Sequence, residues 1–389
     1  MSAEAGAASS PWILLVAGEA SGDLRGAELV EELRRRVPGA RISGVGGEHL
    51  RTAGMTTLVD AEELSTMGLT ELFSRAGTIL RSYRRIRDAI VGRDDGRKPD
   101  LVVLIDFPDF NLRLARVARR AGVPVLYYVS PQVWAWRRYR VKQLASRVDH
   151  LAVVFPFETE IYRGLTRVTF VGHPALETVR ATHSPAETRS RHGLGADRPL
   201  ITLLPGSRGA EIRELLPAMR GGIERLRRGG LEVDVAVALA RESLRPLVES
   251  LGVPGARIVS GDTYNLVAAA DLVLLSSGTA TLETALLERP MVIMYRLSTV
   301  TYTIARALVS VPFIGMPNLI LGKAAVPELI QSEVTPERIA LEARDILTDP
   351  VRAAAIRADL ARVRSLLGQP GAAGRAAAIA EGMLRGPDV

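Results

Sequence analysis

The chain has 389 residues, a formal charge of +7 and no cysteine, which excludes disulfide frameworks, thiolate metal sites and cysteine nucleophiles. Hydrophobic residues make up 47% and charged residues 24%, the balance of a globular protein long enough for two cores. No apolar run reaches the roughly 20 residues that cross a bilayer, so a cytoplasmic protein is expected.

Residues 1–11 are rich in Ala, Ser and Gly and are expected to be disordered. The apolar run behind them is short and has no basic flank, unlike a signal peptide. From there, short aliphatic runs alternate with amphipathic segments. Strands are predicted at Trp12–Ala17, Arg41–Val45, Leu101–Ile105, Val123–Tyr128, His150–Val154 and Val168–Val171, with helices such as Gly26–Arg36, Leu69–Val91 and Leu112–Ala121 between them. This alternation predicts a doubly wound parallel sheet over residues 12–180.

Residues 181–199 carry two prolines and no strand pattern, and read as a linker. The alternation then restarts, with strands at Leu200–Leu204, Glu232–Ala238, Ala256–Val259, Asp271–Ser276 and Met291–Tyr295 and helices from Glu211, Glu242 and Ala280. A second α/β domain over 200–350 follows, so two Rossmann-like domains facing across a cleft are expected. The tail from Thr335 to Leu384 is rich in Ala, Arg and Leu and reads as helical, with 351–389 expected to dock back on the first domain.

Ligands of doubly wound sheets bind beyond the carboxyl ends of the strands, so the strand-to-helix loops are the candidate sites. The first runs from Gly18 through Glu19, Ser21 and Gly22 to Asp23. Its glycines permit close backbone approach, and Glu19 reads as a buried carboxylate at a strand end; a plain turn capped by Ser21 or Asp23 is the alternative. After the strand Leu101–Ile105 come Asp106 and Asp109, two carboxylates suited to general-base work. Asp109 could instead cap the following helix. In the loop Ser130–Arg137, Trp134, Trp136 and Arg137 could stack a sugar, meet a membrane surface or stack a nucleic-acid base, or one Trp could be core. Between Asp109 and Asp149 there is no acidic residue, while Arg113, Arg116, Arg119, Arg120, Arg138, Arg140, Lys142 and Arg147 lie there with Arg137; an anionic partner is implied.

In the second half, Gly206, Ser207 and Arg208 lead into a helix, a backbone-plus-guanidinium clamp for a diphosphate. The turn Ser277-Gly278-Thr279-Ala280 opens another helix, and Glu283, one turn along, could bind ribose hydroxyls; a capping box is the plainer alternative. There is no P-loop Lys-Ser/Thr, no DxD pair for a metal-held diphosphate, and no His spacing of a zinc site. No metal and no cofactor are expected.

Taken with Gly172-His173-Pro174 and Met316-Pro317-Asn318-Leu319, these loops resemble the lipid-A-disaccharide synthase family in content and order, from about residue 13 to 331. The resemblance implies a GT-B, inverting transferase that moves diacylglucosamine from UDP-2,3-diacylglucosamine to 2,3-diacylglucosamine 1-phosphate (lipid X), giving a β-1′,6-linked disaccharide and UDP. It implies UDP held by Gly206, Ser207, Arg208, Thr279, Ala280 and Glu283, with Asn318 also at the site. The acceptor's 6-hydroxyl proton then goes to Asp106, with Asp109 and Glu19 as alternatives.

Acylated substrates also imply an enzyme peripheral on the inner face of the inner membrane, at an anionic lipid surface. Met67, Leu69, Leu72, Phe73, Ile79 and Leu80, flanked by Arg75, Arg81, Arg84, Arg85 and Arg87, read as an interfacial stripe or as an ordinary amphipathic core helix. A homodimer is compatible with this reading. The competing readings are another GT-B enzyme, namely a peptidoglycan lipid II transferase or a UDP-N-acetylglucosamine 2-epimerase, or a basic nucleic-acid-binding protein. No nucleic-acid module is recognisable, so no nucleic-acid partner is expected.

Overall fold

The computed structural model describes residues 10–65, 72–94, 96–132, 139–297 and 311–386. The chain divides into two compact units, Met1–Pro174 with Gln369–Val389, and Ala175–Gly368. Trp134, Trp136, Arg137 and Arg138, along with Met67 and Leu69, lie outside the described residues.

Unit 1 is a parallel sheet of β1 (Trp12–Ala17), β2 (Arg41–Gly46), β3 (Thr56–Asp60), β4 (Leu101–Ile105), β5 (Val125–Tyr128), β6 (His150–Val153) and β7 (Arg167–Phe170), ordered β3-β2-β1-β4-β5-β6-β7. The central strands β1 and β4 are buried along their whole length. Their unbroken apolar sequences are what strands covered on both faces require. Each fully buried Leu, Ile or Val there contributes about 1.5–3 kcal/mol of transfer free energy. The edge strand β3, which the sequence reading does not include, is polar and mostly half-exposed (Thr56, Thr57, Asp60).

Unit 2 is a second parallel sheet of β8 (Leu200–Leu204), β9 (Asp234–Leu239), β10 (Arg257–Ser260), β11 (Leu272–Ser276), β12 (Met291–Tyr295) and β13 (Glu328–Ile330), ordered β10-β9-β8-β11-β12-β13. Strand order reverses between β1 and β4 in unit 1 and between β8 and β11 in unit 2. These are the switch points, where doubly wound sheets open a crevice for ligand.

Two boundaries differ from the sequence reading. Residues 181–199 are not a bare linker but part of unit 2. They form a helix, Pro185–Arg191, whose start is fixed by a capping box between Ser184 and Glu187. The two prolines that suggested a linker lie at the first helical position and just before β8, and a proline at a helix start costs no hydrogen bond. The segment is held by Asn265, whose Oδ1 accepts from the backbone N–H of Thr182 at 2.7 Å and of His183 at 3.0 Å.

The second difference concerns 351–389. The helix Pro350–Leu366 stays in unit 2, burying Ile356, Leu360 and Val363. It is tied there by Arg364, which donates to the Leu286 carbonyl at 2.9 Å, and by a Lys323–Asp359 ion pair at 2.7 Å. The last helix, Ala372–Arg385, belongs to unit 1 and packs on Ala20–Arg36. Its stripe of Ala373, Ala376, Ala377 and Ala380 is buried, and small side chains let two helices approach closely. Residues 367–371 separate these helices, with Gly371 in the left-handed region at φ 96°.

Candidate functional site

In unit 1 the switch point sets the ends of β1 and β4 side by side, Ala17 opposite Ile105. The loops after these strands therefore converge. Asp106 and Phe107 both adopt left-handed backbone, φ 45° and 48°, which costs a non-glycine residue about 1–3 kcal/mol and persists only when neighbours hold it. Three groups hold it. The Tyr127 hydroxyl donates to the Asp106 carbonyl. Asn111 Nδ2 donates to the carbonyls of Ile105 at 3.1 Å and Asp106 at 2.8 Å. The Phe107 ring lies over Gly18, where a Cβ would stand 2.4 Å from it.

This elbow half-buries the Asp106 side chain. Burial, and then the nearby Glu19 carboxylate, raise its pKa from 3.8 to about 6, while the Phe107 backbone N–H pulls the other way. A carboxylate so poised can accept a proton near neutral pH. Burial, and next the Asp106 charge, push the Tyr127 hydroxyl well above its ordinary range, so it stays a donor.

The other unit 1 candidates are placed differently from expectation. Glu19 is exposed rather than buried, because the helix Ala20–Arg36 begins immediately after it. Ser21 is exposed and Gly22 is buried against Ala17 and Ile105. Neither Ser21 nor Asp23 caps that helix. Asp23 is instead buried and accepts from the backbone N–H groups of Gly47 at 2.6 Å and His49 at 3.0 Å, fixing the turn after β2.

Asp109 is not the helix cap either: the helix starts at Pro108 with Phe107 at the cap position. Asp109 is 70% exposed and pairs with Arg140 at 2.7 Å. The basic block is likewise divided, since Arg147 donates to the Leu112 carbonyl at 3.0 Å while Arg113, Arg116, Arg120 and Lys142 are exposed. The His173 ring packs at a tilt against Phe155, centroids 5.0 Å apart, and burial, then Arg25, lower its pKa to about 3, keeping it neutral.

Along Leu72–Val91, Ile79 packs against the core with Ile86 and Ile90. Leu80 is 47% exposed and shares the outer face with the exposed Arg81, Arg84 and Arg85. Of the stripe read from sequence, Ile79 and Leu80 therefore lie on different faces, and the side chains of Leu72 and Phe73 fall outside the described residues. Among the described residues, no helix is long and apolar enough to cross a membrane.

Unit 2 holds a cavity of about 1060 Å³ at the carboxyl ends of β8, β9, β10 and β11. Gly206, Ser207, Arg208, Ser277, Gly278, Thr279, Ala280 and Glu283 all line it. The register that pairs Leu204 with Leu275 brings the two loops together. The helices Gly209–Arg228 and Thr279–Leu286 thus both start at the cavity, and neither has a side-chain cap. Uncapped N-termini present free N–H groups and positive dipole ends, a site for anionic oxygens. Arg208 adds an exposed guanidinium. Ser277 contributes less, since its N–H donates to the Met294 carbonyl at 2.9 Å and its hydroxyl to the Ile314 carbonyl at 3.1 Å. Glu283 accepts from the Tyr264 hydroxyl at 3.0 Å.

Asn318 does not line the cavity. It is fully buried, its Oδ1 accepting from the Ala325 and Val326 N–H groups at 2.8 and 3.0 Å and its Nδ2 donating to the Val326 carbonyl and to Glu328. Every polar atom of its amide is engaged in bracing the chain ahead of β13. A second wall, Gly261–Asn265 with Thr182 and His183, has no counterpart in the sequence reading. Its framework is Asp262, which accepts from Asn265 Nδ2 at 2.6 Å and faces His192 Nε2 at 2.6 Å. Burial would raise the Asp262 carboxyl, but the hydrogen bonds from His192 and Asn265 outweigh it and hold the pKa low. The turn Gly261-Asp262-Thr263 between β10 and a helix was the available signal.

A family model described as lipid-A-disaccharide synthetase matches residues 13–382. The lipid-A-disaccharide synthase of Syntrophus aciditrophicus (strain SB) is 45% identical over 385 residues, covering 98% of this chain and all of that one. That of Myxococcus xanthus (strain DK1622) is 44% identical, covering 94% and 96%. Among solved structures, the calicheamicin glycosyltransferase superposes with a TM-score of 0.61 at 16% identity, covering 97% of this chain and 99% of that one. The UDP-N-acetylglucosamine 2-epimerase of Neisseria meningitidis bound to UDP-N-acetylglucosamine gives 0.59 at 12%, covering 97% and 100%. At such identities these two structures speak to the fold alone.

Proposed function

The chain belongs to the lipid-A-disaccharide synthase family and is a glycosyltransferase of GT-B fold, and we propose from that premise how its residues divide the work. The substrates are UDP-2,3-diacylglucosamine and 2,3-diacylglucosamine 1-phosphate. Unit 2 takes the UDP end. The observation that carries this assignment is the pair of uncapped helix N-termini meeting at one cavity beside Arg208. Their N–H groups and the guanidinium neutralise the leaving diphosphate as its bond to the sugar breaks. Gly206 and Ser207 form one side of the clamp and Thr279 and Ala280 the other. Glu283, positioned by Tyr264, receives the ribose hydroxyls.

Unit 1 takes the acceptor, and Asp106 accepts the proton of its 6-hydroxyl as that oxygen attacks the sugar carbon in one inverting displacement. The raised pKa and the braced elbow favour Asp106 over Asp109, whose carboxylate is paired with Arg140, and over the exposed Glu19. Glu19 then acts as the neighbouring charge that raises Asp106. The epimerase reading has only fold similarity behind it, against 45% identity along the chain for the synthases.

UDP release from UDP-2,3-diacylglucosamine, with and without the monosaccharide acceptor, tests the assignment. Release that does not depend on acceptor would refute it. Acylated substrates call for contact with an anionic membrane surface, and the exposed face with Leu80, Arg81, Arg84 and Arg85 suits that contact. Flotation with anionic liposomes at low and high salt tests it; absence of binding in both would remove the membrane assignment.

A further inference from the structure

Glu211 stands among the donors assigned above to the diphosphate. Its Oε2 accepts from the Ser207 N–H at 3.0 Å, and its Oε1 accepts from Arg208 Nη1 at 3.1 Å. The carboxylate lies over Gly206, where a Cβ would come within 2.5 Å of Oε2. Gly206 has φ 130°, so glycine is needed there for both backbone and space. An internal anion thus sits on the turn that leads into the helix Gly209–Arg228, on donors that precede its uncapped first turn. Arg208 is turned onto it while its side chain remains 79% exposed. Glu211 itself lines the cavity.

Two anions cannot use one set of donors at once. An incoming diphosphate must take Ser207 and Arg208 from Glu211, or bind beside it against its charge. That penalty grows with the charge of the ligand. In a UDP-sugar the diphosphate is esterified at both ends, whereas free UDP ends in a phosphate with a further ionisation near a pKa of about 6. The product is therefore more strongly opposed than the substrate.

We propose that Glu211 is a product-release residue: a competing carboxylate that weakens UDP more than UDP-sugar and so speeds departure of UDP after transfer. The inference rests on the nucleotide occupying this cavity. Glu211→Gln keeps the shape and an oxygen acceptor for the Ser207 N–H while removing the charge. UDP, UDP-N-acetylglucosamine and uridine are titrated into wild type and E211Q by calorimetry at pH 8.

The expected result is UDP tightened by about tenfold, UDP-N-acetylglucosamine by about threefold, and uridine unchanged. UDP product inhibition deepens in parallel with the first. In an Arg208→Ala background the gain shrinks, because the contested cation is gone. A variant that weakens UDP and uridine alike would make Glu211 a loop brace and overturn the inference, as would equal factors for UDP and UDP-sugar. Wild type that binds neither nucleotide would instead remove the nucleotide assignment beneath it.

Discussion

Asp106→Asn should abolish turnover and, at the same time, make the protein more stable at alkaline pH. The unfolded chain ionises this carboxyl near 3.8, whereas the folded chain keeps its proton up to about 6. A carboxyl with a raised folded pKa lowers stability as pH climbs between those values, by about 1.36 kcal/mol per unit. The span amounts to about 3 kcal/mol at pH 8 and about 1 kcal/mol at pH 4.5.

The asparagine is neutral throughout and retains an oxygen for the Phe107 N–H. The stability gain of D106N over wild type should therefore be about 2 kcal/mol larger at pH 8 than at pH 4.5, a difference of roughly 4–8 °C in Tm for a unit of this size. Calorimetry of both proteins at the two pH values, with UDP release measured alongside, reads it. Identical shifts at both pH values would show that the fold does not oppose ionisation of Asp106. Turnover persisting in D106N would remove the residue from the chemistry.

If Asp106 is the base, kcat/KM rises with pH through an acid limb near 6 in wild type, and Glu19→Gln moves that limb lower by relieving the charge that raises it; an unmoved limb would uncouple the two carboxylates. Asn318→Ala leaves the Ala325 and Val326 N–H groups without their buried acceptor, so unit 2 should lose about 2–4 kcal/mol while a folded sample keeps its UDP affinity. Loss of UDP binding from a fully stable N318A would put Asn318 back at the site. Gly18→Ala drives a methyl into the Phe107 ring and should lower kcat with little change in KM for UDP-sugar; normal kcat would mean the elbow tolerates displacement. Transfer should continue in EDTA, since Arg208 and two helix N-termini are assigned to the diphosphate, and a strict divalent-metal requirement would contradict that assignment.

The parallel α/β class and most of its strands were legible from sequence because buried parallel strands must be continuous apolar runs. Trp12–Ala17, Leu101–Ile105 and Leu200–Leu204 are such runs, and each stops where its loop begins. The edge strands β3 and β13 lacked that signal: β3 is partly polar and only partly buried, and β13 has three residues. The glycine turns after β8 and β11 were legible too, since a strand, a Gly/Ser turn and a helix start appear in order along the chain. What they form together was decided by the register of Leu204 with Leu275.

Side-chain direction was beyond the sequence. Asp106 and Asp109 are only three positions apart, yet Asp109, in the first turn of a helix, pairs with Arg140 at the surface while Asp106 sits in a braced elbow. Asn111 and Tyr127, which hold that elbow, come from a helix and a neighbouring strand. Asn318 shows the converse, a motif residue whose amide is wholly spent on its own fold. The sequence by itself determined two doubly wound sheets and which loops follow the carboxyl ends of their central strands, because burial and period are local. Only the tertiary structure decided which carboxylate is desolvated and which polar groups remain available, because those follow from what long-range packing places beside them.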